Sequence, residues 1–185
     1  MHDAGEQCLA CTESPPPHKA TVVWGEYDGV LRTAILALKH GGRDDLAVPL
    51  GDRLAALVSV EPWAPGIDLV VPVPSHPWRR LRKPWTASEL LARRVARRIE
   101  RPLIPILRRH GFGRQARRTR ARRLQLPRTS FSARSELRGQ AVLLIDDVTT
   151  TGTTLRRAAD VLLSTGAVRV FCAVCAQAPD SRRLS

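Results

Sequence analysis

A chain of 185 residues with 43% hydrophobic side chains is long enough for one sizeable core and too apolar for general disorder. No apolar run approaches the roughly 20 residues that a membrane span needs, so no membrane association is expected. The first thirty residues lack the basic start and apolar middle of a signal peptide, which makes the cytoplasm the expected address and thiols or metal ligands the expected states of the cysteines.

The net charge of +13 is unevenly placed. Between Arg93 and Arg138 stand 16 arginines against Glu100 and Glu136, a field that attracts phosphate-rich partners. Arginine also outnumbers lysine 27 to 3 over the whole chain, a bias that a GC-rich genome produces without selection for binding. Each arginine therefore reads equally well as a solvated surface residue.

In chain order, the segment 8–19, CLACTESPPPHK, is rich in turn formers and reads as a loop or a fragment of a small module. GVLRTAILALKHGG spaces Val30, Leu31, Ala34, Ile35 and Leu38 as a helix that stops at Gly41 and Gly42. LAVPLGDRLAALVS, from Leu46, reads as a second helix despite its proline and glycine. DLVVPVPSH, residues 68–76, reads as a buried strand ending in a rigid loop. A helix follows over TASELLARRVARRIE, with Thr86 or Ser88 as its polar start and Leu90, Leu91, Val95 and Ile99 on one face.

PLIPIL, residues 102–107, is a further candidate strand. The run from Arg108 to Phe131 is too polar for a core and reads as a mobile loop or a surface ribbon. AVLLI is the next buried strand, TTLRRAADVLLSTGA a helix closed by Gly166, and VRVFCAVCA, residues 168–176, a last strand. Strands alternating with helices imply an α/β domain with a mostly parallel sheet.

In such a sheet, ligands bind at the carboxyl ends of the strands. Asp146 and Asp147 follow AVLLI directly, and VTTTGTT then turns into the helix. Its backbone N–H groups and the hydroxyls of Thr150, Thr151, Thr153 and Thr154 gather at the positive end of a helix dipole, where Gly152 permits close approach of an anion. The segment offers carboxylates for hydroxyls or a metal beside a nest for one phosphate, which is the combination a ribose phosphate needs. Taken singly, each threonine reads as a helix cap and each aspartate as part of a polar turn. The ordered string is not explained that way.

VLLIDDVTTTGTT resembles the thirteen-residue phosphoribosyl pyrophosphate (PRPP) motif of type I phosphoribosyltransferases. Within that group the chain resembles the ComF family, known from competence and DNA uptake. ALKHGG is similar to the family's lysine-bearing helix end, DLVVPVPSH to its aspartate-then-PVP strand, and RQARRTRARRLQLPRTSF to its glutamine- and arginine-containing segment. The resemblance implies a type I phosphoribosyltransferase fold over residues 21–185, a mostly parallel central sheet flanked by helices.

It also implies roles. Asp146 and Asp147 would be the catalytic carboxylates, contacting the ribose hydroxyls directly or through Mg²⁺. Thr150, Thr151, Gly152, Thr153 and Thr154 would hold the 5′-phosphate, and Pro74, Ser75 and His76 would form the pyrophosphate loop. The Arg108–Arg128 segment falls where the fold carries a loop that closes over substrate, and single-stranded DNA is a second expected partner for it. A homodimer is left open.

Two features depart from the family. Lys83, Pro84, Trp85, Thr86 and Ala87 stand where ComF proteins carry an RGFNQ-like run, which points to a different second substrate or none. Only Cys8 and Cys11 remain of the two CxxC pairs of the family's zinc ribbon, so residues 1–20 read as a remnant of that module or a disordered lead, and zinc is not expected without further ligands such as His2 or His18. Cys172 and Cys175 lie three apart on a strand, facing opposite sides, and read as small core residues. Lys39 and Arg43 read equally as phosphate ligands and as cations on a helix C-terminus.

Three readings follow: a transferase that moves phosphoribose from PRPP to an acceptor, a PRPP-binding protein without turnover acting in DNA uptake, and a nucleic-acid-binding protein that retains the fold. Only Phe112 and Phe131 lie near the arginines as stacking platforms, which weighs against the third.

Overall fold

A computed structural model describes residues 15–75, 85–110 and 131–179. Its centre is a four-stranded parallel sheet in the order β1-β6-β5-β2, made of β1 (Thr21–Glu26), β2 (Leu69–Pro72), β5 (Ala141–Thr149) and β6 (Arg169–Gln177). Four α-helices flank it among the described residues: α1 (Gly29–His40), α2 (Ala47–Ser59), α3 (Ala87–Arg98) and α4 (Thr153–Ser164). Two short strands, β3 (Leu107–Arg109) and β4 (Phe131–Ala133), pair antiparallel as a separate ribbon.

A parallel strand covered on both faces has no solvent side, which is why β2 and the first five residues of β5 are buried throughout and read as unbroken apolar runs. On one face Leu143 and Ile145 pack with Ile35 and Leu38 of α1, Leu54 of α2, and Leu91 and Val95 of α3. On the other, Val142 and Leu144 pack with Leu155, Ala159 and Leu162 of α4. Cys172 and Cys175 are free thiols divided between these two layers, as the strand parity requires. Burial pushes both thiols up, Cys175 to about 12, so neither is a thiolate.

Asp68 pins the start of the β2–β5 pair: its N–H donates to the Ala141 carbonyl at 2.9 Å and its Oδ2 accepts from Ala141 N–H at 2.7 Å. Across α2 and α3, Arg94 donates twice to Asp52 at 2.7 Å. The half-exposed pair is bidentate, and the hydrogen bond from Arg94 holds the Asp52 carboxyl below its usual range. Gly166 ends α4 at φ +105, where a Cβ would overlap the Leu137 carbonyl oxygen; only glycine fits there.

Three details differ from the sequence reading. Thr21–Glu26, passed over as part of the lead into α1, is the edge strand β1, paired with β6 from Thr21↔Cys172 to Glu26↔Gln177; its Thr-Val-Val-Trp run carried the β-branched signal. The candidate strand at 102–107 reduces to one parallel bridge, Val70↔Leu103, and to Leu107 as the start of β3, because Pro102 and Pro105 have no N–H to donate to a ladder. The arginine-rich run starts and ends on the paired strands β3 and β4, and its residues 111–130 lie outside the described residues.

No helix among the described residues is long and apolar enough to cross a membrane. Ahead of β1, Lys19 N–H donates to the Val170 carbonyl at 2.8 Å and Cys172 N–H to the Ala20 carbonyl at 2.9 Å, so the chain is tied to β6 before the strand begins. His18 beside them is buried, and burial lowers its pKa, helped by the nearby Arg156 charge.

Candidate functional site

Asp146 and Asp147 do not follow β5; they are part of it. The β2 ladder stops at Pro72↔Ile145 with one further bond from Val73 N–H to the Ile145 carbonyl at 2.8 Å, whereas the β6 ladder continues to Thr149↔Gln177. The sheet thus narrows where the carboxylates stand. β5 rises past its neighbour β2 and carries both aspartates on a rigid strand at the ligand-binding edge.

Strand parity separates the two side chains. Asp147 continues the Leu143 and Ile145 face that α1 covers, and its Oδ1 lies 2.8 Å from Lys39 Nζ in the last turn of α1. Asp146 Oδ1 accepts twice, from Ser88 Oγ at 2.8 Å and from the Asp147 N–H at 2.9 Å. Both aspartates are 9% exposed. Desolvation, followed by the neighbouring Asp147 charge, pushes the Asp146 carboxyl up to about 7, against the opposing pull of the Ser88 hydroxyl. The structure therefore holds one carboxylate in an ion pair and keeps its neighbour poised between protonation states near neutral pH.

Helix α4 begins directly after β5. Gly152 is its N-cap in the left-handed conformation, φ 70 and ψ 0, and, being glycine, supplies no side-chain cap. The first N–H groups of an α-helix have no acceptor of their own within it, so at α4 they are offered to the site. Thr151 Oγ1 and Thr153 Oγ1 lie 2.8 Å apart, and Thr150, Thr151 and Thr153 are exposed. Open space surrounds the Gly152 Cα, leaving room for an anion against the backbone.

On the β2 side, Pro74 is buried, and the Ser75 hydroxyl is buried without a hydrogen-bond partner among the described residues. A shallow pocket of about 110 Å³ opens beside it, lined by Pro72, Pro74, Trp85, Glu89, Arg93 and Arg134 among others. His76, Cys8 and Cys11 lie outside the described residues, as do Lys83 and Pro84. The start of α3 resolves the choice left open by its sequence. Thr86 is the cap, in a reciprocal capping box with Glu89, while Ser88 is turned into the site. Its role was hidden because a serine in a first helical turn looks like a cap.

Lys39 was legible as a helix-end cation; its partner was not, because the contact joins residues far apart in the chain. Arg43 is not in the site but holds Asp45 at 2.8 Å on the surface. Among the described residues no group of three or more His, Cys, Asp or Glu side chains could hold a metal ion alone. A hard cation such as Mg²⁺, which keeps waters and shares one or two carboxylates with phosphate oxygens, fits Asp146 and Asp147 as a site completed by the ligand.

A parallel α/β sheet with paired carboxylates beside an uncapped, glycine-opened helix start defines a class, and the comparisons agree. The phosphoribosyl transferase domain model matches residues 84–185, more than half of the chain, and the chain belongs to that family, as a ComF-like phosphoribosyltransferase-fold protein. Two relatives are the DNA utilization proteins YhgH of Salmonella typhi, 29% identical over 181 residues, and of Escherichia coli K12, 29% identical over 175 residues; each alignment covers 89% of this chain and 76% of the relative. The glutamine PRPP amidotransferase of B. subtilis, solved with ADP and GMP, superposes with a TM-score of 0.54 at 25% identity, covering 76% of this chain; the matched region is 30% of that enzyme's length.

Proposed function

We propose that the chain binds PRPP with Mg²⁺ at the β5–α4 junction and transfers its phosphoribosyl group to an acceptor. The observation that carries this reading is the adjacency of two buried aspartates, 9% exposed, to a helix start whose N-cap is a glycine without a capping side chain. Asp146 and Asp147 accept the ribose hydroxyls. The α4 N-terminus with Thr150, Thr151, Gly152, Thr153 and Thr154 receives the 5′-phosphate, and Pro74 and Ser75 meet the pyrophosphate, the Ser75 hydroxyl gaining the partner it lacks. When bound, Mg²⁺ neutralises charge on the departing pyrophosphate.

As that group leaves, the sugar carbon gains oxocarbenium character, and the two carboxylates are the negative charges positioned on its hydroxyl side. Hydrogen bonds to charged groups contribute about 1.5–3 kcal/mol each, whereas the helix dipole adds about 0.3–1 kcal/mol. The phosphate accepts bonds of the same charge-assisted kind from the helix start, so both halves of the site contribute and the dipole is a small addition. The relatives' description as DNA utilization proteins supports placing this chemistry, or PRPP sensing without turnover, in DNA uptake. Direct binding of single-stranded DNA is less well supported: the exposed Trp85 already carries the Arg93 guanidinium 3.7 Å above its ring, so one face of this stacking platform is taken.

Calorimetric titration with PRPP and Mg²⁺ tests the reading. Saturable binding is expected, with pyrophosphate released when a competent acceptor is added; wild-type protein that takes up no PRPP overturns it. Binding without pyrophosphate release across bases and small nucleophiles assigns the sensor role.

A further inference from the structure

Lys39 and Asp147 form a close contact, 2.8 Å, between groups only 18% and 13% exposed. The lysine comes from the last turn of α1 and reaches over the sheet to a carboxylate that the ribose must use. Asp146 has a different arrangement: its two donors among the described residues, the Ser88 hydroxyl and the Asp147 N–H, both reach Oδ1 and are neutral. The two carboxylates are thus held differently: Asp146 through Oδ1 by neutral donors, and Asp147 by an ammonium.

A ribose hydroxyl is a poor competitor for a carboxylate already in an ion pair, since the desolvated pair is stronger than a neutral hydrogen bond. A phosphate oxyanion, in contrast, competes directly for the ammonium. Lysine suits such an exchange because its charge is a compact point on a flexible four-carbon stem with three donors. We infer that Lys39 is a transfer residue that gives up its contact with Asp147 for a phosphate oxyanion of the incoming sugar phosphate, uncovering Asp147 for the ribose. This rests on the phosphoribose reading of the same site and adds a coupling between its anion and hydroxyl halves.

The alternative is that Lys39 only neutralises a buried carboxylate. A double-mutant cycle separates the two. Binding of pyrophosphate and, separately, of inorganic phosphate is measured by calorimetry for wild type, Lys39→Met, Asp147→Asn and the double variant, with Lys39→Arg retaining the charge and Asp146→Asn removing the neighbouring carboxylate. Asp147→Asn frees the ammonium, so it should tighten anion binding at least about threefold, and this gain should vanish in the Lys39→Met background. Lys39→Met alone should weaken binding about tenfold, with Lys39→Arg restoring most of it.

Coupling to pyrophosphate alone assigns Lys39 to the leaving group, and coupling to both probes assigns it to any phosphate oxyanion; either supports the exchange. A gain from Asp147→Asn that survives in the Lys39→Met background, or no gain at all with either probe, overturns it. Wild-type binding of PRPP without this coupling sinks the exchange alone, whereas coupling without PRPP binding sinks the phosphoribose reading alone.

Discussion

The β5–α4 junction and the β2–α3 junction lie at the same edge of one sheet, yet they are built differently. At β5–α4 the donors and acceptors are in place: Asp146 is held by Ser88, Asp147 by Lys39, and α4 starts uncapped at Gly152. At β2–α3 the polar groups are unfinished or used elsewhere. Ser75 Oγ is buried without a partner among the described residues, Thr86 and Glu89 bond each other, and Arg93 lies on Trp85. On the proposed reading, the sugar phosphate half of the site is preorganised and the other half is completed by what binds there.

The strongest way to break this comparison is to remove the preorganised half. Asp146→Asn combined with Asp147→Asn should lower PRPP affinity by about 100-fold or more, from the loss of two charge-assisted contacts, with unchanged circular dichroism. Binding within a few-fold of wild type would move the ligand away from β5.

Glycine replacements sharpen it next. Gly166→Ala places a Cβ on the Leu137 carbonyl oxygen at φ +105 and should cost more than the roughly 1–2 kcal/mol of a left-handed alanine. Gly152→Ala, with open space around it at φ +70, should cost only that conformational amount in a urea titration. Ligand affinity should reverse the order, Gly152→Ala being impaired and Gly166→Ala spared wherever it remains folded.

The pH dependence follows from Asp146. Its carboxyl stands at about 7 in the folded chain against an ordinary 3.8, so the folded state holds this proton more tightly than the unfolded state. The resulting stability is fully present below pH 4 and is lost as pH rises to 7. Asp146→Asn should flatten that part of the stability profile. PRPP binding should run the other way, strengthening from pH 6 to 8 as Asp146 ionises to accept a hydroxyl. The smallest effect belongs to the unfinished half: Ser75→Ala should leave stability unchanged or slightly raised, since an unpaired buried hydroxyl is removed, and weaken pyrophosphate binding a few-fold.

Much of this was legible in the chain. The runs LVV and AVLLI showed their burial on both faces, though not that the strand continues through Asp146 and Asp147, and TTTGTT showed a helix start without apolar purpose. The ordering of Asp146, Asp147 and Gly152 was readable because all three are local in sequence. Contacts that join distant segments were not readable. Ser88 and Lys39 each have a sufficient local explanation, a cap and a helix-end cation, that conceals their reach of 58 and 108 residues to the aspartates. β1 escaped because its six residues are flanked by a proline-rich lead and a glycine-bearing turn.

The central claim is that a ribose phosphate sits with its phosphate on the α4 N-terminus and its hydroxyls on β5. Amide chemical shifts recorded during titration with ribose 5-phosphate test this directly. The account predicts that the largest changes fall on the backbone N–H groups of residues 150–155 and on Asp147, whose N–H already bonds to Asp146. Changes confined to the arginine-bearing surface of α3 and β3, with residues 150–155 unmoved, would contradict it.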